Sequence, residues 1–238
     1  MDATCIFAPS EFRAVLDDLK RRAKYPNARI QLTLFRLSFC CGLRCCEMCG
    51  LNMSDVTTGG LRPCIRIRKE ITKGRSGKRK ERIVELWHDA GTLADLQAWE
   101  AERLANGAGP NDPFLCGTTG KRLVRQLCFN RWRTAIQILG PARVRQLSVH
   151  KGRHNFVSYS LWGGRTLPAV RDQAGHADIS TTNGYLHVLP SDDVPNDIFD
   201  RHRPCPSQPA LSASPTPTSR TSQAGRKSAL DVTCRTAG

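Results

Sequence analysis

No stretch of this 238-residue sequence reaches the roughly 18 consecutive apolar residues needed to cross a bilayer, so no membrane partner is expected. The N-terminus lacks the charged, apolar and small-residue pattern of a signal peptide. With eleven cysteines, an odd number, the chain is expected to work in a reducing cytoplasm. Cys46 and Cys49 form a CxxC, but no second pair lies at a zinc-binding distance, and no cluster of carboxylates offers oxygen ligands. Neither a metal nor another cofactor is therefore expected. Seven cysteines stand before residue 65, mostly in apolar surroundings, where Cys serves as a small hydrophobe. Internal repeats are also lacking.

Acidic residues are scarce as well: 21 against 36 Lys and Arg, a net +15. Six of the bases and one acid (Asp231) lie in 201–238, so residues 1–200 alone carry about +10. Such a charge favours a polyanion, and nucleic acid is the commonest one. The division expected is a catalytic domain over 1–200 and a basic, Pro/Ser/Thr-rich tail over 201–238. From about Pro204 that tail has little apolar surface to bury and is expected to be disordered.

The body of the chain reads as mainly α with a small antiparallel β-sheet. Ser10 is a plausible cap for a helix bearing Phe12, Val15, Leu16 and Leu19 on one face. Residues 28–41 read as a second, largely buried helix, broken by Gly42. A short helix over 45–51 follows, which places Arg44 at a helix junction. Residues 65–68 and 82–86 alternate as strands do. They bound a basic, Gly-containing hairpin connection, 72–80. Further helices are expected over 93–104, around Phe129 to Leu139, over 149–162 with Ser148 as cap and Gly163-Gly164 as stop, over 167–174, and in short form over 180–185 and within 188–199.

Four polar residues in 148–187 stand at telling positions. His150 and Arg153 are three apart and share a helix face. His176 follows an Ala-Gly corner, and Tyr185 lies nine residues further on, behind Thr181-Thr182. Singly, each has a plainer use. Arg44 is a natural ion-pair partner for Glu47 or Asp55, His176 a turn residue, Tyr185 a half-buried aromatic.

As an ordered set they resemble the catalytic domain of the tyrosine recombinase (phage integrase) family over about residues 10–188. Gly42-Leu43-Arg44-Cys45-Cys46-Glu47 is similar to the family's G-L-R-x-x-E box. Thr72-Lys73-Gly74 with Lys80-Glu81-Arg82 is similar to its β-hairpin lysine segment. His150-Lys151-Gly152-Arg153-His154 is similar to H-x-x-R-H, and Gly175-His176 with 181–187 to G-H…T-T-x-x-Y-x-H.

The resemblance implies a site-specific recombinase or integrase that cleaves and rejoins DNA through a covalent 3′-phosphotyrosine. It implies Tyr185 as nucleophile, and Arg44 and Arg153 as a clamp on the non-bridging phosphate oxygens. Lys73 is implied as general acid, with Lys78 and Lys80 as rivals in this long basic loop. His150 would be general base or hydrogen-bond partner, and His176 a donor to phosphate. Glu47, His154 and His187 would brace the set. Double-stranded DNA and a homotetramer are the implied partners, for integration, excision or resolution of DNA. Two other readings remain open: a type IB topoisomerase-like nicking and closing enzyme, and a catalytically weak DNA-binding relic of a mobile element.

Two features depart from the family pattern. Between His150 and Arg153 stands Lys151-Gly152, where the family usually has an apolar residue before the Arg; a mid-helix Gly costs about 1 kcal/mol. The family's N-terminal helical domain, which closes a clamp around DNA, has no counterpart in the stretch before Ala28. The chain is thus expected to be the catalytic domain alone, a truncated product, or a member whose clamp comes from elsewhere.

Overall fold

The computed structural model describes residues 6–72, 80–86 and 89–176. Helix α1 spans Pro9–Arg21 and buries Phe12, Val15 and Leu19. Its cap is Ala8, not Ser10. The Ala8 backbone N–H donates to the Glu11 carboxylate at 2.8 Å, so an acid three residues on satisfies the exposed amide and Ser10 falls inside the first turn.

Helix α2 runs from Pro26 to Phe35, with Pro at its first position, where its missing N–H and fixed φ suit the start of a helix. The single helix expected over 28–41 instead widens into a π-turn, Arg36–Cys40. There the Cys41 N–H reaches back five residues to the Arg36 carbonyl at 3.1 Å, and the Leu43 N–H reaches Leu37 at 3.0 Å. Gly42 then turns the chain at φ +66°, where a Cβ would lie 2.4 Å from the Phe156 ring. No other residue meets both demands. Helix α3, Cys45–Gly50, starts directly behind it.

Three short antiparallel strands follow in the order β1 (Val56–Thr57), β2 (Cys64–Ile67), β3 (Arg82–Glu85). Ile65 pairs with Val84, and both are wholly buried, so the alternation visible in the sequence selects the inward face. The two-residue β1 is too short to show any period and escapes a sequence reading. Between β2 and β3, residues 73–79 lie outside the described residues, and with them Lys73 and Lys78.

Helix α4 spans Ala90–Ala105, its Thr92 N–H capped by Asp89 at 3.1 Å. Helix α5 covers Arg125–Ala135, a 3₁₀ turn follows at Gln137–Leu139, and α6, Pro141–Gln146, is a further short helix that the sequence did not signal. Helices α7 (Val149–Trp162) and α8 (Leu167–Ala174) occupy the expected spans. The segments 180–185 and 188–199, the boundary at 200 and the tail 201–238 lie outside the described residues.

An aromatic cluster centres the core. Phe12 and Phe39 stand 4.5 Å apart, Phe35 and Trp132 5.6 Å, and Phe7 packs edge-on against Phe39. Burying each such ring contributes about 2–3 kcal/mol. Helix α7 lies directly on the π-turn, where Ser38 Oγ donates to the Val149 carbonyl at 2.9 Å. At that crossing sits Gly152: a Cβ there would meet Ser38 Oγ at 2.1 Å and Trp132 at 2.9 Å. The helix-weakening glycine is therefore what lets α7 approach closely enough to set Arg153 in place.

Candidate active site

Two glycine corners define the site. One is Gly42, between the π-turn and α3. The other is Gly175, which ends α8 at φ +64°, in a left-handed conformation natural to glycine. Two guanidiniums tie the corners together. Arg153, on α7, donates from Nη1 to the Gly42 carbonyl at 2.8 Å and from Nη2 to the Ala174 carbonyl. Arg44, at the head of α3, donates from Nη2 to the Gly175 carbonyl at 3.1 Å. Segments more than a hundred residues apart in sequence thus meet through charge-assisted bonds of fixed direction.

Glu47 anchors the arrangement. It is fully buried, accepts from Arg44 Nη1 at 2.9 Å, and takes both terminal nitrogens of Arg82 at 2.8 Å. Arg82, on β3, also donates from Nε to the Gln173 carbonyl at 2.8 Å, which links the sheet to α8. Burial pushes the Glu47 carboxyl up, but the Arg82 bonds and the charges of Arg82 and Arg44 outweigh it and hold the group at about 2. Glu47 therefore pairs with Arg44, one of the two partners that the sequence allowed. Asp55, the other, pairs with Arg68 at 2.8 Å. Arg82 carries no signal in the sequence beyond its place in the hairpin box, and only the fold shows that it braces the site.

The histidines take different positions. His150 is exposed and lines an open cavity of about 800 Å³ together with Arg44, Cys46, Thr72 and Arg125. His154, one turn further along α7, is half-buried, its ring centre 6.3 Å from that of His150. His176 is half-buried beyond the Gly175 corner, and its backbone N–H bonds to the Arg171 carbonyl at 3.1 Å. Burial lowers His176 to about 4, and the nearby charges of Arg153 and Arg44 push the same way, so its imidazole is neutral at pH 7. His154 is lowered to about 4 by burial, then by Lys151, His150 and Arg153.

The structure thus brings together Arg44, Glu47, Arg153, His154 and His176, with His150 at the rim of the adjoining cavity. Lys73, Tyr185 and His187 lie outside the described residues. Lys80, the described rival for general acid, stands at the end of the hairpin connection, exposed. A cluster of oriented guanidinium and imidazole donors beside an open cavity suits a phosphate group, whose oxygens accept bidentate bonds.

Residues 7–192 match the family described as "Phage integrase family". A tyrosine recombinase XerD of Pseudomonas aeruginosa is 28% identical over 172 residues, which cover 72% of this chain and 53% of that protein. A tyrosine recombinase XerD of Rhizobium meliloti is 32% identical over 179 residues, or 74% and 52% of the two chains. The chain therefore spans about half the length of the curated relatives it matches. Among solved structures, XerA recombinase superposes with a TM-score of 0.62 at 20% identity, over 78% of this chain and 59% of that one. XerH site-specific recombinase in a post-cleavage complex with a palindromic difH substrate gives 0.59 at 24% identity, over 76% and 49%.

Proposed function

This chain belongs to the phage integrase family, and from that premise we propose that it is a site-specific DNA strand transferase that cuts and rejoins double-stranded DNA through a 3′-phosphotyrosyl intermediate. One observation carries the reading: Arg44 and Arg153 are locked on two glycine corners, with His176 beside them and an open cavity lined by Arg44, Arg125 and His150 alongside.

Attack on a phosphodiester builds negative charge on the non-bridging oxygens. Arg44 and Arg153 stabilise it with donors whose planes are set beforehand, so little reorganisation is left for the reaction itself. His176, neutral, donates one ring N–H to the same oxygens. Tyr185 Oη forms the new bond to phosphorus and passes its proton to His150 as general base, or to solvent with His150 as hydrogen-bond partner of the Tyr and phosphate. The bond from phosphorus to the 5′-oxygen breaks, and that oxygen takes a proton from Lys73, with Lys78 and Lys80 as its rivals in the same loop. Religation runs these steps backwards. Glu47, His154 and His187 hold the reacting groups in place. Arginines and a lysine supply the positive charge here, so the roles assigned call for no metal.

The substrate is duplex DNA, and recombination of two duplexes calls for four copies of the chain. Its place is the cytoplasm, where DNA and reduced thiols coexist. The DNA-bound relative and the basic charge of this chain support both the ligand and the reaction.

The test uses nicked duplexes built from the DNA that flanks the gene, so that the cleaved strand end diffuses away and the adduct accumulates. A denaturant-resistant protein–DNA adduct is expected, lost in Tyr185→Phe. Arg44→Ala should bind the DNA yet lower the adduct by about 100-fold or more. Absence of any adduct, or its persistence in Tyr185→Phe, overturns the reading.

A further inference from the structure

The sequence drew attention to the CxxC pair Cys46 and Cys49, but the fold separates them and forms a different group. Cys45 and Cys49, four apart on α3, present their sulfurs on one side of the helix. Cys128 on α5 faces them, and all three Sγ atoms lie within 4.8 Å of one another. Cys46 is not part of this group, and it lines the cavity of the candidate active site beside Cys45.

We propose that Cys45, Cys49 and Cys128 form a binding site for one thiophilic cation of the zinc(II) class, with the fourth ligand position facing the cavity. The sulfur spacing suits such a cation. Tetrahedral zinc with Zn–S bonds of about 2.3 Å holds its sulfurs about 3.8 Å apart. The present spacing needs a closure of about an ångström at most, within the reach of side-chain rotation. Three sulfurs select soft, polarisable cations over magnesium or calcium, which take oxygen. Cys128 is wholly buried and Cys49 nearly so, while Cys45 borders the cavity shared with Arg44 and His150, so ions and water have a path in. Three enclosed protein ligands with one open position is a stable zinc arrangement.

The charge balance is also favourable. Each thiol releases one proton to solvent as its sulfur–metal bond forms, so three thiols and one dication give a site of net charge −1. Arg125 supplies positive charge around Cys45 that offsets it. The bound cation would staple α3 to α5 immediately behind Arg44. This site does not depend on the recombinase reading, because its test never uses DNA.

The experiment titrates the full, reduced chain with cobalt(II), then with zinc(II). One equivalent of cobalt should give the near-ultraviolet thiolate-to-metal band, and zinc should remove it. Cys46→Ala should keep the band, while Cys45→Ala and Cys128→Ala should lose it. In parallel, iodoacetamide labelling of the wild-type chain is read peptide by peptide. Zinc should slow labelling of Cys45 and Cys49 on the order of tenfold, since metal-bound thiolates are poor nucleophiles. No thiolate band, a band that survives Cys128→Ala, or protection confined to other cysteines overturns the proposal. Should a variant fail to fold by circular dichroism, the wild-type labelling pattern decides alone.

Discussion

Gly152 shows how a residue that weakens its own helix can be required by its neighbours. In an exposed helix, replacing Gly by Ala gains about 1 kcal/mol. Here the added methyl would sit 2.1 Å from Ser38 Oγ and 2.9 Å from Trp132, and overpacking of that kind costs about 1–3 kcal/mol. The steric loss outweighs the gain in helix propensity. Gly152→Ala should thus destabilise the chain by up to about 2 kcal/mol in urea unfolding. It should also reduce adduct formation, because Arg153 is the next residue. Adding Ser38→Ala, which removes the nearest clashing atom, should recover part of both losses. A Gly152→Ala protein more stable than wild type would sink this account. The same logic explains why Gly42 cannot carry a side chain: a positive φ and the Phe156 ring both forbid one.

At the scale of elements, the site is a junction of α3, α7, α8 and β3, held by one buried carboxylate. Glu47 joins Arg44 at the head of α3 to Arg82 on β3, and Arg82 in turn grips the end of α8 through Gln173. Removing the charge leaves Arg82 buried without its counterion. Glu47→Gln should therefore cost roughly 3 kcal/mol or more of unfolding free energy. The pH dependence gives an independent check. The folded-state pKa of Glu47, about 2, lies below its ordinary value of 4.5, so its stabilisation is complete above 4.5 and is lost as the pH falls toward 2. The wild-type chain should lose stability across that window, and Glu47→Gln should lack this portion of the slope. Equal slopes in the two proteins would remove Glu47 as the anchor.

At the scale of the whole molecule, the excess of 36 bases over 21 acids governs how the chain would meet DNA. Association should be dominated by release of condensed counterions, with at least a roughly tenfold loss of affinity between about 50 and 200 mM salt. A deletion of 201–238 removes six bases and one acid, so it should shallow the salt slope without abolishing it. A flat salt dependence of the full chain, measured by fluorescence anisotropy with duplex DNA, would contradict a phosphate-based interface.

The sequence by itself determined the architecture and supplied the candidates for the site. The 3.6-residue and two-residue periods, with glycines at the ends, located α7, α8 and the β2–β3 hairpin, because those patterns are written in neighbouring residues. Ordered boxes of His, Arg and Gly named Arg44, His150, Arg153 and His176 as belonging together. Short-range features misled or were silent where no period exists: the cap at Ala8, the two-residue β1, the six-residue α6 and the π-turn before Gly42. What only tertiary structure decided are the long-range pairings. It chose Glu47 over Asp55 for Arg44, and brought in Arg82 as the second arm of the brace. It gave Gly152 a packing role and regrouped Cys45 and Cys49 with Cys128 in place of Cys46. The physical reason is common to all of these. Each depends on which surfaces of distant elements come within a few ångströms, and burial together with directed hydrogen bonds settles that only when the chain is folded.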